Sequence, residues 1–188
     1  MNPQLQKKSA ISTLCAQLLT VRHFSMLANS LQNSTMNWQG KTTGNVRVLP
    51  WFKQNFERED AFIFEESGIF IDASRAKFET QNRFGFCLVH SLLAKDEEEI
   101  KTEKNCLQLF NCRGENPILL LEFLPQNASH GLSKDDLNTP LIIWQSKKPH
   151  QCAADLYEAK ITQHPNYLEF LWTIKSARKN ELLCWRYE

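Results

Sequence analysis

The stretch Tyr167-Leu168-Glu169-Phe170-Leu171-Trp172-Thr173-Ile174-Lys175 decides the fold. Leu168, Phe170, Trp172 and Ile174 make one wholly apolar side, while Tyr167, Glu169, Thr173 and Lys175 lie on the other. Successive side chains of a strand point to opposite faces, so this period of two reads as a strand with one face in a core and one in water. In the run before it, Asp155, Tyr157, Ala159 and Ile161 share the face opposite Glu158 and Lys160, which puts a carboxylate and a phenol on the inward side. A carboxylate placed there must be hydrogen-bonded or paired, because desolvating it alone costs several kcal/mol.

Working outward, the chain from Met36 onward breaks into short β-rich runs with no further segment of helical period. They span Trp38 to Leu49, Ala61 to Glu65, Ile69 to Thr80, Phe84 to Leu93, Cys106 to Phe110, Ile118 to Leu124, Leu141 to Lys147, Cys152 to Thr162, Tyr167 to Lys175 and Glu181 to Tyr187. Glu66-Ser67-Gly68, residues 111–116 and Ala177-Arg178-Lys179-Asn180 supply turn chemistry between runs. Ten runs at this spacing predict a mainly β domain, an antiparallel up-and-down barrel over 36–188. Ala94 to Asn105, with the acidic run Asp96 to Glu99, and Gln126 to Asn138, with the sequon Asn127-Ala128-Ser129, are predicted excursions; the acidic run lacks the alternation of a calcium loop.

Residues 1–35 differ in character. Ile11, Leu14, Cys15, Leu18 and Arg22 follow helical spacing, which predicts an amphipathic helix from about Leu5 to Phe24. Residues 1–56 carry six basic side chains and no acidic one, and the rest of the chain carries 16 basic against 21 acidic. A basic, acid-free, amphipathic front has the make-up of a mitochondrial import presequence, and Arg22-His23-Phe24-Ser25 resembles a matrix-peptidase site. The alternative is a helix that caps the following domain. The expected compartment is the mitochondrial matrix, or otherwise the cytoplasm.

Composition narrows function by exclusion. With 42% hydrophobic and 23% charged residues, 188 residues make one ordinary domain. A net charge of +1 gives no reason to expect nucleic acid as a partner, and no apolar run is long enough for a transmembrane helix. Six cysteines, at 15, 87, 106, 112, 152 and 184, mostly sit in apolar runs and read as buried free thiols, with Cys106 and Cys112 as the pair to check for a bridge. No C-x-x-C or H-E-x-x-H spacing exists, so no metal or other cofactor is expected, although His90, His130 and His164 are the other candidate ligands.

The best polar constellation is His150-x-Cys152-x-x-Asp155-x-Tyr157, in which Asp155 has opposite parity to His150 and Cys152 unless a bulge or bend intervenes. Trp172 follows on the next run, and Lys179 precedes Tyr187 by eight residues. Upstream lie Phe64-Glu65-Glu66-Ser67-Gly68-Ile69-Phe70, Ala73-Ser74-Arg75 and Phe78. At these residues the chain resembles a small lipocalin-like (calycin-type) domain family of unknown function from bacterial and fungal proteins, over about Trp38 to Tyr187. That family carries H-x-C-x-x-D-x-Y, a Trp, and a G-P-x-K turn with a Tyr eight residues past the Lys. This chain has Ser176-Ala177 for the Gly-Pro, no Arg shortly after Trp38, and no His in Leu119-Leu120-Leu121-Glu122-Phe123.

The resemblance implies a barrel with a pocket and no established activity. The expected function is a non-catalytic barrel that binds a small apolar or amphipathic ligand through His150, Cys152, Asp155, Tyr157, Trp172, Arg75 and Lys179. The alternative is an accessory subunit of a mitochondrial assembly, docked through Trp51, Phe52, Phe56 and the basic front. An acid and base pair of Asp155 and His150 ranks behind both.

Overall fold

The structure, a computed structural model, describes residue 14 and residues 16–31, 39–51, 61–92, 103–126 and 141–188. Cys15, Trp38, Phe52, Phe56, His130, the sequon, the acidic run and the side chain of His90 lie outside the described residues. Among the described residues eleven strands follow a short N-terminal helix: β1 (His23–Ser30), β2 (Gly40–Pro50), β3 (Ala61–Asp72), β4 (Lys77–Leu92), β5 (Glu103–Asn111), β6 (Ile118–Gln126), β7 (Ile142–Ser146), β8 (His150–Cys152), β9 (Asp155–Gln163), β10 (Leu168–Lys175) and β11 (Asn180–Tyr187). Except for β7 and β8, neighbours in sequence pair antiparallel, β7 pairs with β9, and β10 closes the ring by pairing with both β9 and β11. Ten strands form a closed up-and-down barrel; β8 pairs with β9 alone, beyond the stretch of β9 that β7 covers. The fold is the mainly β, antiparallel barrel with an N-terminal helix that the alternating runs predict.

Three boundaries differ from the sequence reading, each for a physical reason. The barrel's first strand lies upstream of residue 36. His23–Ser30 alternates strictly, with Phe24, Met26 and Ala28 buried and His23, Ser25 and Leu27 exposed, and it bridges β11 and β2. The helix therefore ends before His23 rather than at Phe24. Glu66-Ser67-Gly68 is no turn but the middle of β3, because Glu66 points inward to protein partners; the turn comes at 73–76, inside the stretch read as one strand from Ile69 to Thr80. The run from Cys152 divides into a β8–β9 hairpin in which Ala153 adopts φ 53°, the left-handed bend that lets Cys152 pair with Asp155.

The helix plugs the barrel. Leu14, Leu18 and Val21 are buried in one cluster with Phe64, Phe86, Leu107, Phe170 and Tyr187. Only about 10 Å³ of void remains where Leu14 and Leu18 meet the lumen. Gln17 Nε2 donates to the carbonyl of His164 at 2.8 Å, between β9 and β10. The Arg22 guanidinium donates to the carbonyls of Leu19 and Val21 at 2.9 and 2.7 Å, satisfying acceptors that a helix end leaves unpaired. No helix among the described residues is long and apolar enough to cross a membrane.

A second apolar cluster lies on the outer side of β3, β4 and β5, where Trp51 covers Ala61, Ile63, Cys87, Phe110 and Cys112. Its indole meets Phe110 edge-on at 5.1 Å and lies over Gly85, where a Cβ would stand 2.7 Å from it. Trp51 is thus buried against the barrel's own wall. Cys106 and Cys112 are not bridged; Cys87 and Cys112 are buried thiols, Cys106 and Cys184 half-buried ones, and Cys152 is exposed.

Candidate functional site

Because the strands run alternately up and down, the 73–76, 112–117, 153–154 and 176–179 turns gather at the barrel end remote from the helix. Two features occupy that end.

The first is the constellation around Asp155. The bend at Ala153 supplies what the spacing lacked: His150 pairs with Tyr157 and Cys152 with Asp155, so all four share a face. The Tyr157 ring lies 6.4 Å from the His150 ring and meets Trp172 edge-on at 6.1 Å. Lys179 Nζ donates to Asp155 Oδ2 at 2.5 Å, tying the β8–β9 hairpin to the β10–β11 turn. The Lys179 contact, with hydrogen bonds from Ser176 and Tyr157, holds the Asp155 carboxyl below the usual carboxylate range, and Asp155 in turn raises Lys179. Burial raises Tyr157. The turn itself is closed by Ser176: its Oγ accepts from the amides of Arg178 and Lys179, and its own amide donates to the Lys179 carbonyl at 2.9 Å.

Arg75 stands apart. It sits in the β3–β4 turn at φ 69°, with β10, β11, β1 and β2 between it and β9, beside a shallow groove with Leu27, Lys41 and Lys77. Asp72 organises this turn by accepting from Ser74 Oγ at 2.7 Å and from the Ala76 amide at 2.9 Å, contacts that hold its carboxyl low.

The second feature is a cleft of about 920 Å³ in the far half of the lumen. None of His150, Cys152, Asp155, Tyr157, Trp172, Arg75 and Lys179 lines it. Its wall is a belt fixed by register across five strands: Trp185 pairs with Met26, Met26 with Thr42, Thr42 with Phe70, and Phe70 with Phe78. Phe78 follows the inward parity of β4 yet is 54% exposed, because it faces the cleft instead of the core. β5 pairs with β4 only from Phe84 onward, so residues 77–83 form one lip of the opening. Three strand glycines shape the wall. Phe70 lies across Gly40, where a Cβ would be 2.4 Å from its ring, and Phe24 lies across the facing pair Gly44 and Gly68, at 2.7 and 3.1 Å from their would-be Cβ atoms.

Above the cleft a polar chain enters the core. Tyr187 Oη donates to Glu66 Oε1 at 2.6 Å, Asn82 Nδ2 donates to Glu66 Oε2 at 3.0 Å, and the Arg113 guanidinium donates to Asn82 Oδ1 and, at 2.8 Å, to the Gln81 carbonyl. Burial raises the Glu66 carboxyl above its usual range, opposed by the hydrogen bonds from Tyr187 and Asn82 and by the charge of Arg113. Burial also pushes Tyr187 well up. The sequence reading missed Glu66, Asn82, Arg113 and Thr42. Parity carried the signal for Glu66, since Phe62, Phe64, Glu66 and Phe70 share a face, but the Ser-Gly that follows reads as a turn. Among the described residues no group of three or more His, Cys, Asp or Glu side chains is placed to hold a metal ion.

Comparison with models of protein families, with curated proteins and with solved structures returned no match.

Proposed function

We propose that this protein is a non-catalytic barrel of lipocalin-like type whose far-end cleft binds a small, ring-bearing amphipathic molecule. One observation carries the reading: the lumen is divided. Its helix-side half is filled by Phe64, Phe86, Phe123, Trp144 and Phe170 and stoppered by Leu14 and Leu18, while the other half is an aromatic-walled cleft of about 920 Å³. A volume of that size suits a small organic ligand, and apolar walls with a few polar groups are how such sites are built. Two carboxylates at this end are engaged as supports. Asp155 is held by Lys179 and Glu66 by Tyr187 and Asn82, so each braces the wall. Tyr157, Trp172 and His150 form a separate aromatic group on β8, β9 and β10 at the same barrel end.

The test is native mass spectrometry on protein purified gently from its own source, beside a Phe78→Glu variant produced in the same way. A monomer with a reproducible small-molecule mass that the variant lacks is the expected result. A wild-type protein without any added mass, or the same mass on the variant, would overturn the reading.

A further inference from the structure

We propose that the cleft selects an uncharged hydrogen-bond acceptor, such as a ketone or amide oxygen on a flat ring system, read by the indole N–H of Trp185 and the hydroxyls of Thr42 and Thr80. The proposal rests on the cleft reading above and goes further by naming the polar group of the ligand.

Three observations converge. Trp185 Nε1, Thr42 Oγ1 and Thr80 Oγ1 are buried without a hydrogen-bond partner, and all three residues line the cleft. Trp185 is 8% exposed and Thr42 is 2% exposed, so the surrounding protein rather than bulk water sets their polarity. Native proteins pair the great majority of buried polar atoms; of the seven side-chain atoms left unpaired among the described residues, these three share the cleft lining, where a bound acceptor can meet the indole N–H and the hydroxyls. Register places them on one side of the lumen wall, on β11, β2 and β4. Trp185 and Thr42 flank Met26 in one belt, and Thr80 sits opposite Gly68, beside the Thr42–Phe70 pair.

The chemistry of the three groups selects the ligand. An indole N–H donates and never accepts, so the group facing it must be an acceptor; an ammonium would leave it orphaned. A carboxylate is disfavoured by its surroundings. Asp72 and Glu79 line the cleft against one cation, Arg113, and Glu66 lies one inward position beyond Gly68 on β3. The apolar body is set by the wall. Phe24 and Phe70, laid across glycines with Phe78 beside Phe70 at 6.5 Å, offer ring surface to a flat aromatic or alicyclic partner.

Equilibrium dialysis of the full chain against three naphthalenes of similar size tests this directly: 2-acetylnaphthalene, 2-ethylnaphthalene and 2-naphthoate. The expected result is that the acetyl compound binds about tenfold or more tighter than the ethyl compound, the worth of one well-made hydrogen bond to an otherwise unpaired buried donor. Thr42→Val and Trp185→Phe should each pull that ratio toward one while leaving the ethyl compound bound. Thr42→Val is isosteric, so it keeps the test alive if the Trp185 variant folds poorly. Equal affinity for acetyl and ethyl compounds, or a ratio unmoved by both variants, overturns the acceptor proposal and leaves the cleft intact. Tightest binding of 2-naphthoate overturns the uncharged head group. If none of the three binds, the cleft reading fails as well, and the proposal with it.

Discussion

Leu18→Ala should destabilise the barrel by about 3 kcal/mol, and the estimate follows from where the helix sits. Leu18 is 3% exposed and packs with Leu14 in the lumen cluster. Truncation to Ala removes three carbons, worth about 0.8 kcal/mol each by transfer from water, or roughly 2.4 kcal/mol in all. A cavity term adds to this, since a lining that now leaves about 10 Å³ of void is already closely packed around these side chains. Core Leu→Ala changes span about 2 to 5 kcal/mol, and the middle of that range is expected. The control is the adjacent Leu19, which is 46% exposed on the opposite face of the same helix. Leu19→Ala should stay within about 0.5 kcal/mol of wild type. Urea unfolding followed by tryptophan fluorescence reads both, and at a slope of about 2 kcal/mol per M the Leu18 variant should shift its midpoint by roughly 1.5 M with the slope unchanged. A Leu18→Ala shift no larger than that of Leu19→Ala would show that the helix is not part of the cooperative core, and the account of a plugged lumen would fall.

Further predictions bear on the same architecture. Glu66→Gln should flatten the pH dependence of stability. The raised Glu66 carboxyl contributes stability that is fully present below 4.5 and is lost as pH rises through its native value, so wild type should lose urea midpoint above pH 4.5 and the variant should lose less; equal slopes would refute the assignment. Ala153→Gly should raise stability by up to about 1 kcal/mol, because φ 53° strains any residue with a Cβ, and thermal unfolding would show it. Gly44→Ala should cost about 3 kcal/mol or prevent folding, since the added Cβ would stand 2.1 Å from the Ser67 carbonyl oxygen; a variant that melts like wild type would contradict the strand contact. The mature protein should retain Leu14, because cutting near Ser25 would remove the plug and split β1, and the intact mass of protein from its own source tests this.

The fold was legible because one physical rule, burial of alternate side chains, governs nearly every strand. Leu168, Phe170, Trp172 and Ile174 are all buried, as their alternation requires. The same rule, followed through two further stretches, places the residues that turn recognition and compositional bias obscured. In β1, Phe24, Met26 and Ala28 alternate plainly, but they follow a helix of good period inside an acid-free segment, and composition outweighed pattern there. In β3, Ser67-Gly68 has turn chemistry, yet Gly68 serves to let Phe24 approach the wall. The cleft was harder to foresee for a different reason. Its belt of Trp185, Met26, Thr42, Phe70 and Phe78 is assembled from strands far apart in sequence, by registers that no local pattern specifies. By contrast, His150, Cys152, Asp155 and Tyr157 are close in sequence and form a visible motif, and the ion pair with Lys179 shows that such a motif can also serve to fasten two hairpins. The residues of that motif lie within eight positions of one another, whereas the cleft's glycines and its three unpaired buried polar atoms come together only through strand register.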